Sequence, residues 1–450
     1  MQNDRSKILI DSIKRLLRRN ALTHLRKIID KTHAADLSVV FRSLSLPNQH
    51  KLFEMIEETE QKGALFSGLD EDTFLALNEG IELDDVVEIF EHMPTDDVAD
   101  LLGQLPEDRS DAIIERMKKE SSEEVEGLLH YGDDTAGGIM VPDFIALREN
   151  TTAGEAIESL QKEHLDVEMP FYLYVVDENG KLVGVSSLRQ LVVVSSETPL
   201  KDFMTTDVFT VKTDTDQEEV AKIVARYDIL AVPVVDDTNQ LVGIVTVDDI
   251  IDIIREEATE DILKMVGVGE EFVETKSIFK NIKMRMPWLF ASCIGGIIAS
   301  FIIGHFQVSL SKLAYLAAFI PVIMGMGGNI GVQSATITVR GLATGHLSIR
   351  DIWSVVFKQL MVGLILGLFY GFVVGLVVQF KYSSGLFALS VGLGILCSMS
   401  MAALAGSLVP MTLEKINVDP AIASGPFVTT AIDIISVSFY FIIATTLLGI

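Results

Sequence analysis

The sequence predicts a multidomain membrane protein with four parts in series. These are an all-α superhelical N domain (1–135), a tandem pair of α+β domains (136–254), a connecting helix (255–281) and a transmembrane domain of five helices (282–450). Two internal repeats and an uneven distribution of charge lead to this division. Only four of the 63 acidic and six of the 36 basic residues follow position 286, so the formal charge is −29 before that point and +2 after it.

The N domain carries a repeat with a period of 12 residues. Its three units are LDDVVEIFEHMP, TDDVADLLGQLP and EDRSDAIIERM, over residues 83–117. Each unit predicts one short helix, with acidic residues at its positive end. Stacked short helices are typical of a superhelical array rather than of an enzyme core. The acidic residues are helix caps or cation ligands, and the large negative charge attracts cations and argues against nucleic acid as a partner.

A second repeat lies within residues 140–254. YVVDENGKLVGVSSLRQLV (174–192) matches PVVDDTNQLVGIVTVDDII (233–251), and a further match lies upstream of each. Each unit predicts a short strand, a helix, two strands joined by a polar turn, and a helix. This paired pattern resembles tandem CBS domains, a family that regulates other domains and often binds adenosine nucleotides.

The CBS resemblance also implies a nucleotide site. In the second repeat it falls on Gly243, Thr246 and Asp249. The first repeat has Gln190 at the position of Asp249, so at most one ribose-binding carboxylate remains for ATP. Beyond the repeats, residues 248–281 predict a helix rich in carboxylates, which is either a solvated connector or an interface bridged by divalent cations.

Five apolar stretches predict the membrane domain. Residues 286–311, 313–339, 359–380 and 382–413 contain no charged residue, and 420–450 contains only Asp433. About 20 apolar residues cross a bilayer once, which gives five spans. Basic residues flank alternate loops, and the positive-inside rule then places the N-terminus in the cytosol and Ile450 outside the cytoplasmic membrane.

Two features inside the spans suggest an ion path. A carboxylate at the depth of Asp433 is costly unless it faces water or is protonated and bonded to a neighbouring helix. PVIMGMGGNIGVQSATITVRG (321–341) predicts either a broken helix that lines a water-filled path or close packing through small residues. Gly328, Asn329 and Gln333 are candidate pore residues there. Oxygen ligands suit Mg²⁺.

Taken together, the sequence resembles the MgtE family of magnesium channels and transporters. GGNIGVQSAT (327–336), DPAIASGPFVTTAID (419–433) and TDTDQEEVA (213–221) leading to VTVDDIIDII (245–254) carry the resemblance. It implies a homodimer in the lipid bilayer that imports hydrated Mg²⁺ past Asp433 and closes when cytosolic Mg²⁺ binds. The implied metal ligands, besides Asp433, are Asp96, Asp100, Asp216, Asp228, Asp249, Asp252, Glu257, Glu260, Asp261 and Asp419.

Two other functions remain open. One is the transport of Co²⁺, Mn²⁺ or Ca²⁺, and the other is a membrane-anchored CBS nucleotide sensor that acts on a partner protein. An enzyme is not expected, because the sequence has no P-loop, no GxSxG and no metal-ligand spacing of histidines.

Overall fold

A computed structural model describes residues 2–163, 171–268, 278–307 and 314–449. The chain divides into two compact units, residues 1–255 and 256–450. The first unit holds the N domain and the paired repeats, and the second holds the apolar helices.

The N domain consists of short helices, as the 12-residue repeat predicts. From α5 to α10 every helix begins 12 residues after the one before it, so the array is longer than the repeat visible over 83–117. Pro94 and Pro106 are the N-cap residues of α8 and α9, where their fixed φ suits the entry into a helix. The helices are α1 (Gln2–Arg18), α2 (Leu22–Ile29), α3 (Ala34–Arg42), α4 (Leu46–Phe53), α5 (Thr59–Ser67), α6 (Glu71–Asn78), α7 (Leu83–Phe90), α8 (Thr95–Gln104), α9 (Glu107–Ile114) and α10 (Lys119–Leu128).

One face of each short helix contributes to a continuous core. Phe66 of α5 is fully buried, stacks on Phe53 with ring centroids 5.1 Å apart, and meets Phe74 edge-on at 5.4 Å. The same hydrophobic cluster continues into the second repeat through Val220 and Ile250. The N domain and the second repeat therefore share one core.

The paired repeats form two three-stranded sheets with the predicted topology. In each sheet the first two strands are parallel and the last two are an antiparallel hairpin. The two polar turns contact each other, with the Gln240 side chain donating to the Asn179 carbonyl at 3.0 Å. The elements are β1 (Ala146–Arg148), α11 (Ala153–Glu163), β2 (Tyr172–Val176), β3 (Leu182–Ser187), α12 (Leu188–Val193), β4 (Val211–Lys212), α13 (Gln217–Tyr227), β5 (Ala231–Val235), β6 (Leu241–Thr246) and α14 (Val247–Met265).

Helix α14 includes the start of the predicted connecting helix. It runs without interruption from Val247 to Met265, so the expected domain boundary at 254 lies inside a helix. Residues 269–277 of the predicted connecting helix lie outside the described residues.

The second unit contains five helices that are long and apolar enough to cross a membrane, counted over the described residues. This agrees with the five spans expected from the sequence. We name the helices span 1 (Ile278–His305), span 2 (Ile320–Ala343), span 3 (Ile352–Tyr382), span 4 (Gly385–Lys415) and span 5 (Pro426–Leu448).

Span 2 is a continuous helix from Ile320 to Ala343, so the break allowed for at its glycines is not formed. Two of those glycines instead allow other spans to approach closely. A Cβ on Gly331 would overlap Ile432 Cδ1, and a Cβ on Gly327 would lie 2.7 Å from Ser436 Oγ, both in span 5. Close packing through small residues is therefore the role that the structure gives to Gly327 and Gly331.

Candidate functional site

Span 5 begins after an irregular turn that interrupts the apolar segment. A short helix ends at Ser424, Gly425 has ψ −137°, and the helix of span 5 starts at Pro426. Gly425 also allows a close approach, because a Cβ there would lie 3.1 Å from the Met265 carbonyl oxygen. Asp433 follows two turns into the helix.

Asp433 lines a cavity of about 440 Å³ within the second unit. Spans 1, 2 and 5 and the end of α14 form its walls, and the hydroxyl-bearing residues Ser292, Thr429 and Thr430 belong to its lining. The other lining residues are Met265, Val266, Gly295, Gly296, Ala299, Met324, Val332, Gly425 and Pro426.

No cationic side chain neutralises Asp433 among the described residues. The ion pairs found there do not include Asp433, and every residue that lines the cavity is neutral except Asp433 itself. A carboxylate in a membrane cavity requires water, a proton or a cation to offset its charge. The cavity can therefore attract a cation, because its lining residues include no positive charge that would neutralise Asp433.

The other candidate pore residues lie on span 2 but do not line this cavity. Asn329 and Gln333 are exposed in the single chain, and Gly328 is half-buried. Span 2 contributes Met324 and Val332 to the cavity instead. A role for Gly328, Asn329 and Gln333 in ion binding stays a prediction.

The end of α14 closes one side of the cavity. Met265 and Val266 are part of its lining, and Gly267 follows with φ +74°, a left-handed conformation that favours glycine. A Cβ on Gly267 would lie 3.1 Å from both the Trp288 and Pro426 side chains. This tight turn therefore holds the connecting segment against spans 1 and 5.

A lysine joins the end of α14 to the segment before span 5. Lys264 Nζ donates to Asp419 Oδ2 at 2.7 Å and also pairs with Glu260, and all three side chains are about 70–75% shielded from solvent. Burial by itself lowers the pKa of Lys264, but the hydrogen bonds and charges of Asp419 and Glu260 outweigh it and raise the pKa above its ordinary value. Lys264 therefore stays charged and, in the single chain, pairs with Glu260 and Asp419, two of the predicted metal ligands.

In the first unit, α8 brings carboxylates close to the start of α14. Burial raises the pKa of Asp97, and the negative charge of Asp248 adds to this, although Ser67 donates to Asp97 Oδ2 at 2.9 Å. Burial likewise raises the pKa of Asp249 to about 6, with the charges of Asp248 and Asp97 adding to it. Thr246 opposes that shift by donating to Asp249 Oδ2 at 2.5 Å.

The remaining predicted ligands of the first unit lie at helix ends or on exposed faces. Asp96 is buried in the first turn of α8, whereas Asp100 is exposed. Asp216 is the N-cap of α13 and accepts from the Glu218 amide at 2.9 Å, and Asp228 is its left-handed C-cap. Asp252 is exposed and pairs with Arg255 at 3.1 Å. Helix capping accounts for Asp216.

The predicted ligands Glu257 and Asp261 are half-buried on the part of α14 that belongs to the second unit. Over the described residues, no three His, Cys, Asp or Glu side chains are grouped closely enough to hold a metal ion. Of the predicted ligands, Glu260 and Asp419 are brought together by their shared contact with Lys264.

Comparisons with known proteins agree with this architecture. Family models match the "MgtE intracellular N domain" over residues 32–134, the CBS domain over 136–197 and 200–256, and the MgtE "Divalent cation transporter" domain over 320–443. The magnesium transporter MgtE of Thermus thermophilus is 41% identical over 329 residues, and that of Enterococcus faecalis is 39% identical over 326 residues. Each alignment covers 72% of this chain and 72% of the relative.

The chain belongs to the MgtE family. Two solved structures resemble its first part. The cytosolic domain of the Mg²⁺ channel MgtE in complex with ATP has a TM-score of 0.52 and 34% identity, and covers 54% of this chain and 99% of its own. The soluble part of a magnesium transporter has a TM-score of 0.50 and 31% identity, and covers 56% of this chain and 99% of its own.

The predicted nucleotide residues of this MgtE-family protein lie on consecutive elements: Gly243 is within β6, Thr246 ends it, and Asp249 is in the first turn of α14. Thr246 is fully buried, and a Cβ on Gly243 would lie 2.7 Å from Met140 Sδ. In the first repeat, Gln190 forms a capping box with Ser187 at the start of α12. Asp249 follows Thr246 by three residues, as Gln190 follows Ser187, so the two residues occupy equivalent positions in the two repeats. Unlike Gln190, Asp249 has an acidic side chain.

Two site residues were missing from the sequence-based ligand set of this MgtE chain. Asp97 and Asp248 are the carboxylates whose charges act on each other and on Asp249. Their sequence neighbours Asp96 and Asp249 were selected through resemblance, and only the approach of α8 to the start of α14 distinguishes adjacent aspartates. Lys264 was also missed, because a lysine among carboxylates on a helix is usually a solvated pair.

Proposed function

We propose that this protein is a Mg²⁺-selective channel or transporter that imports magnesium across the cytoplasmic membrane. The observation that carries the proposal is the position of Asp433, which faces a cavity between spans and has no cationic partner among the described residues. Its membership of a family whose relatives are named magnesium transporters supports magnesium as the cargo.

The size of the cavity suits a hydrated ion. Mg²⁺ gives up its water reluctantly and usually keeps several water molecules when it is bound through a carboxylate. Six waters occupy about 180 Å³ at the volume that water has in the liquid. A cavity of about 440 Å³ leaves room for the ion with its hydration shell, held by Asp433 and by hydroxyl groups of span 5 through water.

Cytosolic Mg²⁺ is the proposed closing signal. The like charges of Asp97, Asp248 and Asp249 oppose the approach of α8 to α14, and a divalent cation would remove that opposition. Oxygen ligands of this type fit Mg²⁺. The predicted set of Asp96, Asp100, Asp216, Asp228, Asp252, Glu257, Glu260, Asp261 and Asp419 would complete such sites in the assembled protein. Ions shift the equilibrium only by their preference for the closed state.

The remaining parts of the proposal concern assembly and a nucleotide. We expect a homodimer, as the resemblance of the sequence to the MgtE family implies. We expect the N-terminus in the cytosol and Ile450 outside, as the basic loops indicate. A solved MgtE cytosolic domain in complex with ATP supports one ATP site at Gly243, Thr246 and Asp249.

Magnesium flux into liposomes tests the transport function. Purified protein is reconstituted, and uptake is followed with an internal Mg²⁺ dye for the native chain, Asp433→Asn and Ser438→Ala. Ser438 lies on the same span but donates to the Ile434 carbonyl of its own helix at 2.7 Å, so it serves as a matched control. We expect Asp433→Asn to reduce uptake at least tenfold and Ser438→Ala to retain it. Native uptake that Asp433→Asn leaves unchanged would refute a role for Asp433.

Transport of another divalent cation is the second candidate, because the matching family model is described more widely as "Divalent cation transporter". Uptake of Co²⁺, Mn²⁺ and Ca²⁺ and their competition with Mg²⁺ distinguish the two. Selective Mg²⁺ uptake supports the first proposal, and equal uptake of several ions supports the second. A complete lack of ion flux in folded, reconstituted protein would favour the membrane-anchored nucleotide sensor.

A further inference from the structure

A pair of buried serines joins span 5 to spans 4 and 2. Ser436 Oγ lies 2.6 Å from Ser398 Oγ, and Ser398 Oγ donates to the Ile323 carbonyl at 3.1 Å. Since the single hydroxyl hydrogen of Ser398 is directed to that carbonyl, Ser436 is the donor within the pair. The two bonds form a relay from span 5 through span 4 to span 2.

This pair differs from other serines in the same spans. Ser407 donates to the Ala403 carbonyl of its own helix at 3.0 Å, and Ser438 also bonds within its own helix. Serine in an apolar helix commonly satisfies its hydroxyl in this way. Ser398 and Ser436 are fully buried and bond across helices instead. The spans must therefore keep a specific rotation for both hydroxyls to remain satisfied.

Gly327 provides the space for this pair. A Cβ on Gly327 would overlap Ser398 Oγ and would lie 2.7 Å from Ser436 Oγ, whereas a Cβ on Gly325 would meet nothing within 4 Å. The glycine thus allows the hydroxyls of spans 4 and 5 to meet directly against the backbone of span 2. The contact is specific to that one turn of the helix.

The same face of span 5 is held one turn before and one turn after Ser436. Ile432 is buried against Gly331, and Tyr440 is buried and donates its hydroxyl to the Leu316 carbonyl at 3.0 Å. Residues 432, 436 and 440 recur every four positions and so share one helix face. Asp433 is one residue beyond Ile432, about 100° further around the helix. Fixing the first face therefore determines where the carboxylate points.

We propose that the Ser398–Ser436 hydrogen bond, seated over Gly327, sets the rotation of span 5 and thereby directs Asp433 into the cavity. Both serines are positioning residues, since neither lines the cavity itself. The inference rests on the proposed function for its consequence in transport. Its structural part, the direction of residue 433, can be measured without any ion.

The direction of residue 433 is measured as the reactivity of a thiol. In a chain with Cys293→Ala and Cys397→Ala, which removes both native cysteines, Asp433→Cys is treated with a small cationic methanethiosulfonate without divalent ions. We expect the modification rate to fall at least threefold when Ser398→Ala and Ser436→Ala are added. Loss of one interhelical hydrogen bond changes the ratio of correctly rotated to misrotated span 5 by about that factor. The matched control Ser407→Ala should leave the rate unchanged. An equal rate in the folded double variant would overturn the proposal.

A second pair of variants covers the case in which the double variant does not fold. Gly327→Ala should lower the thiol reactivity by separating the hydroxyls, and Gly325→Ala should not. If both glycine variants leave the rate unchanged, the proposal is wrong.

The consequence for transport is tested with Asp433 present. The Mg²⁺ concentration for half-maximal uptake should rise at least threefold in Ser398→Ala/Ser436→Ala and stay constant in Ser407→Ala. A change in thiol reactivity without any change in this concentration would leave the positioning role intact and contradict the proposed role of Asp433. Unchanged reactivity would contradict the positioning role whatever the uptake shows.

Discussion

Replacing Asp249 by asparagine should stabilise the first unit at neutral pH when no divalent ion is present. The pKa of Asp249 is raised from 3.8 to about 6, chiefly by burial. Because the pKa in the folded state lies above that in the unfolded state, ionisation of this group opposes folding at pH values above about 6. Asparagine removes the charge and can still accept the hydrogen bond from Thr246.

The magnitude follows from the pKa shift. One pKa unit corresponds to about 1.4 kcal/mol, so a shift of about two units lowers the free energy of unfolding by about 3 kcal/mol at pH 7.5. For a protein of this size, about 1 kcal/mol moves the melting temperature by roughly 2–4 °C. Asp249→Asn should therefore raise the melting temperature by roughly 6–12 °C.

The assay is thermal unfolding of a fragment that ends at Met265, the last residue of α14. The similar cytosolic domain of the Mg²⁺ channel MgtE and the similar soluble part of a magnesium transporter have each been crystallised on their own. Melting is compared at pH 7.5 and pH 5, without divalent ions and with 10 mM Mg²⁺. The native fragment should gain stability as the pH falls through 6, and also when Mg²⁺ is added, whereas Asp249→Asn should gain less from either change.

Asp252→Asn is the matched control. Asp252 lies one turn further along the same helix, is exposed and pairs only with Arg255 among the ion pairs of the described residues, so we expect a change within about 0.5 kcal/mol. A melting temperature that is the same for the native fragment and Asp249→Asn at pH 7.5 would refute the reasoning. If the native fragment and Asp249→Asn gain the same stability from Mg²⁺, Asp249 does not take part in divalent binding.

Two further predictions concern the membrane unit. Lys264→Met should release α14 from Asp419. A partly buried ion pair is worth about 1 kcal/mol, which corresponds to a roughly fivefold change in the ratio of open to closed protein, measured as Mg²⁺ uptake at an inhibitory Mg²⁺ concentration. If Lys264→Met takes up Mg²⁺ at the same rate as the control Lys415→Met, at the exposed end of span 4, the contact has no role in gating. Gly331→Ala should destabilise the protein in detergent by about 1–3 kcal/mol because its Cβ would overlap Ile432, while Gly325→Ala should melt like the native chain.

The ability of the sequence to predict the site differed between its parts. Asp433 could be selected as a candidate directly, because a lone carboxylate in an apolar stretch costs free energy that few structural roles offset. The glycines of span 2 could not be interpreted in the same way, since glycine both breaks helices and permits close packing. Only the contacts of Gly327 and Gly331 with span 5 decide between these roles, and they favour packing.

The carboxylates of the first unit show a related limit. Asp96, Asp97 and Asp100 all lie on α8 and look alike in sequence, yet the charges of Asp248 and Asp249 are coupled to Asp97. Which of several neighbouring aspartates faces another helix depends on the rotation of both helices. That rotation is set by the shared core of the N domain and second repeat and not by any local preference.

The sequence by itself determined the order of the domains, the number of spans and the choice of Asp433 as a candidate pore residue. These follow from charge, from hydrophobic length and from repeats, which are local properties that can be counted along a chain. The tertiary structure alone decided what surrounds each of these features. The Lys264 contact with Asp419 joins residues 155 positions apart, and the Ser398–Ser436 bond joins residues 38 positions apart. The cavity likewise brings together residues of separate helices, and such contacts arise only when the helices pack.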